Sequence, residues 1–294
     1  MHQPLEVPEQ FAPSSLVAGV KDIIAHLDGT AEDEIRLAHA EALASLFEAR
    51  LTGVYTNRLP DIGDYPSPVG AMAYVELERQ LREDGRAAQA RLAERFAKLG
   101  VANELRKIEA MPGDLRREVA TQARSADLFV ATCPPSAGAS NWTSVIESVL
   151  FESGRSVFFA PEKIGPREAI RTVVIGWVDA REAARAVAEA LPVLRAATAT
   201  HLLSIEEADA SGKRLPALAA IAAHLDRHGV TVNINMMSDA PRGAAAAILE
   251  EAHRVSADLI VTGAYGHSRL REWILGGATR DLIEQSDIPL LMAH

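Results

Sequence analysis

Apolar residues in this 294-residue chain fall into short continuous runs, separated by longer segments where they recur every three or four positions. The first runs lie at 21–27 (Lys21-Asp-Ile-Ile-Ala-His-Leu27), 51–56, 101–109, 126–132 and 156–160, most of them bounded by glycine, proline or aspartate. Short apolar runs without polar alternation suit strands buried on both faces. The segments between them predict helices over 32–49, 72–99 and 114–124, with an amphipathic stretch at 144–152. Glu32, Asp33 and Glu34 stand in the first turn of the first helix, where the helix dipole favours acids. Residues 57–70, with three prolines and two glycines, read as a loop. After a proline-bounded linker at 161–166 the programme restarts. Strands are predicted at 169–178, 198–205, 230–236, 258–262 and 289–292, and helices at 180–196, 215–228, 242–255 and 278–285. Strands alternating with helices over short connections predict an α/β fold with doubly wound parallel sheets.

The restart is a repeat. Ser125-Ala-Asp-Leu-Phe-Val130 matches Ser256-Ala-Asp-Leu-Ile-Val261, and Ser156-Val-Phe-Phe-Ala160 matches Pro289-Leu-Leu-Met-Ala293. The order of elements also agrees between the halves, so the chain reads as a duplication. The expected organisation is a proline-containing arm at 1–15, a first domain over 16–161 and a second over 168–294.

Composition narrows the function. With 48% hydrophobic and 24% charged residues the chain is an ordinary globular one. A formal net charge of −10 and the absence of a basic run argue against nucleic acid as a partner. Neither a secretory pattern nor an apolar stretch of membrane-spanning length is present, so no membrane role and a cytoplasmic location are expected. The single Cys133 has no disulfide partner within the chain.

Candidate chemistry centres on 258–279. The run Asp258-Leu-Ile-Val-Thr-Gly263-Ala-Tyr-Gly266 breaks into glycines, and Gly276-Gly277-Ala278-Thr279 leads into the last helix. Glycines at a strand end let a backbone approach a ligand, and the first N–H groups of a helix suit phosphate. This predicts a phosphate cradle built largely of backbone. Arg269, Arg271 and Arg280 could add charge, and His267 could contact a phosphate. No P-loop sequence and no dinucleotide fingerprint occurs. Three other groupings read more simply as surface or structure: His224 with His228, Glu206-Glu-Ala-Asp209, and Cys133.

The spacing Gly263-x2-Gly266-x9-Gly276, between the fourth strand and fourth helix of the second half, resembles the universal stress protein family in its tandem two-domain form. The resemblance implies two five-stranded sheets of order 3-2-1-4-5, packed as a pseudo-dimer through their last strands, with further homodimerisation left open. It implies an adenine nucleotide, ATP with magnesium, at Gly263, Gly266, His267, Gly276, Gly277, Ala278 and Thr279, near Val178 and Asp179. The implied role is a stress-response protein, regulatory rather than catalytic. The alternatives are a ligand-free scaffold acting through dimerisation and protein contacts, and a slow ATP hydrolase. Two departures from the family pattern stand out in the second half. Gly277 occupies the place of a serine or threonine, and Val178 the place of an acid, with Asp179 one step later. In the first half the acid is present as Asp28. There the glycine segment has become Thr132-Cys-Pro-Pro-Ser-Ala-Gly138, whose prolines lack N–H donors.

Overall fold

The structure, a computed structural model, describes residues 19–61, 68–132, 140–205, 214–237, 240–264 and 277–294. Gly266, His267, Gly276, Arg269, Arg271, Cys133, the acidic cluster at 206–209 and the arm at 1–15 lie outside these residues.

The first half contains β1 (Asp22–Leu27), α1 (Asp33–Phe47), β2 (Arg50–Arg58), α2 (Pro68–Phe96), β3 (Asn103–Ala110), α3 (Pro112–Ala123), β4 (Leu128–Thr132), α4 (Ser140–Ser148) and β5 (Ser156–Ala160). The second contains β6 (Thr172–Trp177), α5 (Arg181–Ala196), β7 (Ala199–Ile205), α6 (Arg214–Arg227), β8 (Val232–Met237), α7 (Ala244–Arg254), β9 (Leu259–Gly263), α8 (Gly277–Gln285) and β10 (Leu290–Ala293). The strands form one ten-stranded sheet in the order β3-β2-β1-β4-β5-β10-β9-β6-β7-β8. Each half therefore has the order 3-2-1-4-5. Every pairing is parallel except the seam, where β5 and β10 run antiparallel with Phe159 opposite Leu290 and Phe158 opposite Leu291.

Helices cover both faces of the inner strands, which is why those read as apolar runs, whereas the edge strands β3 and β8 are only half-buried and carry polar residues. Ile23, Ala25 and Leu27 of β1 join a core with α1, α2, α5 and α6, whereas Ile24 joins the opposite core with α3, α4, α7 and α8. The same alternation holds in β6, with Val173 and Ile175 on one side and Val174 on the other. Both cores run across the seam, so the halves share their apolar interior.

The repeated Ser-Ala-Asp-Leu has a structural cause. Asp127 Oδ2 accepts from the Lys21 and Asp22 N–H groups at 2.7 and 3.0 Å. Asp258 Oδ2 does the same for Arg171 and Thr172 at 2.9 and 3.0 Å. In each half one carboxylate ties the start of the fourth strand to the start of the first and satisfies two backbone donors there.

Two expectations are corrected. The proline-containing loop ends earlier than its composition implies, because α2 begins at Pro68; proline suits a first helical position, where its missing N–H has no partner to lose. The amphipathic stretch at 144–152 is a helix from Ser140 that widens into a π-helical turn at Val149–Ser153, closed by Gly154 at φ 74°.

Candidate functional site

In the second half, β6 lies between β7 and β9, and its flanking connections diverge: α5 packs on one face of the sheet, α7 and α8 on the other. A crevice at the carboxyl ends of β6 and β9 follows from that topology, and such crevices hold ligands in open α/β sheets. Here the structure brings together the end of β9 at Gly263 and the opening of α5, with the end of β6, which leads to Val178 and Asp179, paired beside β9; α8 lies on the other face of the sheet, packed against α7.

Gly277 and Ala278 are exposed in the first turn of α8, while Thr279 is buried. Val178 is 41% exposed and Asp179 is exposed as well. Gly263 is packed rather than open. A Cβ there would stand 2.6 Å from the Ala183 nitrogen and 2.7 Å from the Glu182 carbonyl carbon. The absent side chain lets α5 settle its first turn onto β9, so packing alone requires this glycine.

Sequence reasoning missed three residues at this end of the sheet. Glu182 is buried at the start of α5 and accepts from Arg181 Nε at 2.8 Å. Burial works against its charge, but the Arg181 bond and its own backbone N–H outweigh that and hold its carboxyl below the usual range. Arg181 also reaches His294 Nε2 at 2.8 Å, and His294 Nδ1 lies 2.9 Å from the Ala264 carbonyl. The only sequence signal for these was position: Arg181 and Glu182 open α5, four and five residues beyond β6, and His294 directly follows β10.

The equivalent place in the first half holds a buried ionic cluster. Asp28 follows β1 where Val178 follows β6, as the pairing of β1 with β4 and of β6 with β9 fixes. Its Oδ1 accepts from Arg36 at 2.6 Å, from the Thr30 N–H at 3.0 Å and from the Thr30 hydroxyl at 2.5 Å. Asp33, in the first turn of α1, accepts from the Asp28 and Gly29 N–H groups at 3.0 and 2.8 Å and also pairs with Arg36 at 2.9 Å. The side chains of Asp28, Asp33 and Arg36 are each at most 5% exposed. Behind them His26 sits on Thr56 at 3.0 Å and stacks on Phe129.

One guanidinium thus faces two buried carboxylates. Burial, offset only in part by Arg36, raises Asp33 to about 7, and the neighbouring Asp28 carboxylate adds to the rise. Burial also acts on Asp28, but Arg36 and the bonds from Thr30 and Asp33 outweigh it and leave Asp28 below its ordinary value. His26 falls to about 3 through burial and the nearby Arg36, so it is neutral at pH 7. The acid that the family pattern would turn toward a ligand is here committed to Arg36 and Thr30, with only Oδ2 of Asp28 lacking a hydrogen-bond partner.

A pH dependence follows. Asp33 is raised in the folded state, so its contribution to stability is complete below its ordinary value of 3.8 and is lost as pH rises through about 7. Asp28 is shifted the other way, and its contribution changes only below 3.8. Between pH 4 and 7 stability should therefore fall with a slope of up to about 1.4 kcal/mol per pH unit from Asp33, and Asp33→Asn should flatten it. Urea denaturation across that window, comparing wild type with Asp33→Asn, is the measurement; equal slopes would refute the assignment.

This arrangement can now be set beside known proteins. Residues 169–294 match the universal stress protein family. The second half is a universal stress protein domain. A curated relative, the stress response protein NhaX of Bacillus subtilis (strain 168), is 46% identical over 48 residues, 16% of this chain and only 29% of that protein's length. Among solved structures, a universal stress protein from Archaeoglobus fulgidus DSM 4304 is similar with a TM-score of 0.70 at 16% identity, over 92% of this chain and 97% of that one. A putative universal stress protein from Pseudomonas aeruginosa UCBPP-PA14 is similar with a TM-score of 0.58 at 13% identity, over 95% of each chain. At such identities the likeness is one of fold, and it extends over both halves. The match to the family itself covers only the universal stress protein domain at 169–294, the half with the glycine spacing.

Proposed function

We propose that this chain is a stress-response protein whose second half binds an adenine nucleotide, ATP with magnesium first, as a regulatory signal rather than a substrate. One coincidence carries the reading. The family match at 169–294 coincides with the half whose sequence keeps Gly263, Gly266 and Gly276, in the connection from β9 to α8. The exposed opening turn of α8, with Gly277 and Ala278, offers backbone N–H groups and a positive dipole end to phosphate. His267 would lie in the same connection, while Val178 and Asp179 would border the base or ribose and Thr279 would support the turn from inside.

The test begins with freshly purified protein. Denaturation should release adenine nucleotide, and calorimetry on the stripped protein should show ATP binding that magnesium modulates. Gly266→Val with Gly276→Val should abolish binding, whereas Asp28→Ala should leave it intact because Asp28 serves the first half's ionic cluster. No released nucleotide and no heat up to about millimolar ATP would end the proposal. One observation favours a second reading, a ligand-free scaffold acting through protein contacts or homodimerisation in the cytoplasm. Val178, apolar and 41% exposed, stands where an acid would face the ligand, and the same calorimetry decides between the two. Turnover would be at most a weak ATP hydrolysis, checked as phosphate release against the Gly276→Val variant.

A further inference from the structure

The connection that carries the glycines leaves β9 at Ala264, and both backbone groups of Ala264 are held. Its N–H donates to the Ala293 carbonyl at 2.8 Å, continuing the ladder with β10. Its carbonyl faces His294 Nδ1 at 2.9 Å. That carbonyl can only accept, so Nδ1 carries the proton. The other ring nitrogen, Nε2, faces Arg181 at 2.8 Å, and a guanidinium can only donate. Together the two partners select the tautomer with its proton on Nδ1. Arg181 is itself anchored through Nε by buried Glu182. The edge of the His294 ring is met by Phe151 of the first half, centroids 4.6 Å apart and planes at 71°.

No such arrangement can form in the first half. Thr132 pairs with Ala160 as Gly263 pairs with Ala293, so the residue equivalent to His294 is Pro161, which has no donor to offer. At the start of the first helix, the place of Arg181, the first residue of α5, is taken by Asp33, which belongs to the ionic cluster. The clamp therefore exists only in the half that keeps the glycine spacing.

We propose that His294, oriented by Arg181 and braced by Phe151, is a positioning residue for nucleotide binding in the second half, and that the first half contributes to that site through Phe151. This rests on the nucleotide reading given above. The imidazole fixes the direction in which the chain leaves β9, and the ring from the π-helical turn keeps the imidazole from rotating away. A half with a degenerate glycine segment thereby still has a part in binding.

The experiment uses the full chain and ATP as probe. His294→Leu should weaken ATP binding about tenfold, the effect of losing one to two hydrogen bonds. His294→Asn, whose amide can still donate to the Ala264 carbonyl, should recover to within about threefold of wild type. Phe151→Ala should weaken binding by about threefold through the lost edge-to-face contact. Melting temperatures should move little, because both residues lie at the surface, His294 half-buried and Phe151 46% exposed. Nitrogen-15 spectra of nucleotide-free wild type should show the Nδ1–H tautomer of His294, and Arg181→Ala should release it into a mixture. If wild type binds ATP and His294→Leu binds equally well, or if His294→Asn is no better than leucine, the positioning role is refuted while the nucleotide reading survives. If wild type binds no ATP, the nucleotide reading fails and takes this proposal with it.

Discussion

Replacing Arg36 by methionine is expected to destabilise the protein by about 3–5 kcal/mol at pH 7. Among the described residues Arg36 is the only cation paired with the buried carboxylates of Asp28 and Asp33, and methionine keeps its length while removing its charge. Asp28 would then be left in the interior with no counter-charge, Asp33 being protonated once Arg36 no longer opposes its burial, and the hydrogen bonds to Asp28 and to the Thr30 hydroxyl would be lost as well. The loss should shrink at acid pH, where both carboxylates can be protonated. Adding Asp28→Asn and Asp33→Asn to Arg36→Met should restore a large part of the stability, since the cost lies in unpaired charge rather than in missing contacts. Equilibrium urea unfolding of the single and triple variants measures both. A loss below about 1 kcal/mol for Arg36→Met would mean that the cluster is hydrated and contributes little.

Gly263→Val should cost about 1–3 kcal/mol, the range for forcing atoms into a packed interior. The clash is with the backbone at Glu182 and Ala183, which cannot rotate aside as a flexible side chain would. Relief would have to come from moving α5 away from β9 and β10, against which it packs through Ala183, Ala186 and Val187. Gly263→Ala should already show a sizeable part of the loss. The contrast with Gly266→Val and Gly276→Val distinguishes the two duties of glycine here: those substitutions are expected to remove nucleotide binding, whereas Gly263→Val acts first on stability. A Gly263→Val protein that unfolds with wild-type stability would show that α5 can shift at no cost.

Much of the fold was legible because both cores demand apolar side chains on alternate faces of each strand. Ile23-Ile24-Ala25 and Val173-Val174-Ile175 could be read as buried strands before any geometry was known. The repeated Ser-Ala-Asp-Leu was visible too, and its reason is local: Asp127 and Asp258 each close two backbone donors at the start of a neighbouring strand. The candidate site was only partly legible. Glycine spacing marks a backbone site in sequence because no other residue offers that freedom, but charged residues carry no mark of where they point. In sequence Asp33 stood out only as one of three acids in the first turn of a helix and Arg36 not at all, and only the packing of α1 against the sheet buries both.

The sequence by itself determined the α/β class, the duplication, the strand order implied by the family resemblance, and which half keeps the glycine spacing. The class, the repeat and the glycine spacing follow from periodicity and from residue types with few conformational alternatives, whereas the strand order is only what the family resemblance implies. Tertiary structure alone decided that the last strands, through which the resemblance already packed the halves, pair antiparallel to make one continuous sheet, that Asp28 is bound up with Arg36, that Gly263 makes room for α5, and that Arg181, His294 and Phe151 converge near Ala264. Each of those depends on residues far apart in the chain being brought within hydrogen-bonding or van der Waals distance. Such contacts arise from how whole elements pack, and local sequence patterns do not encode that packing.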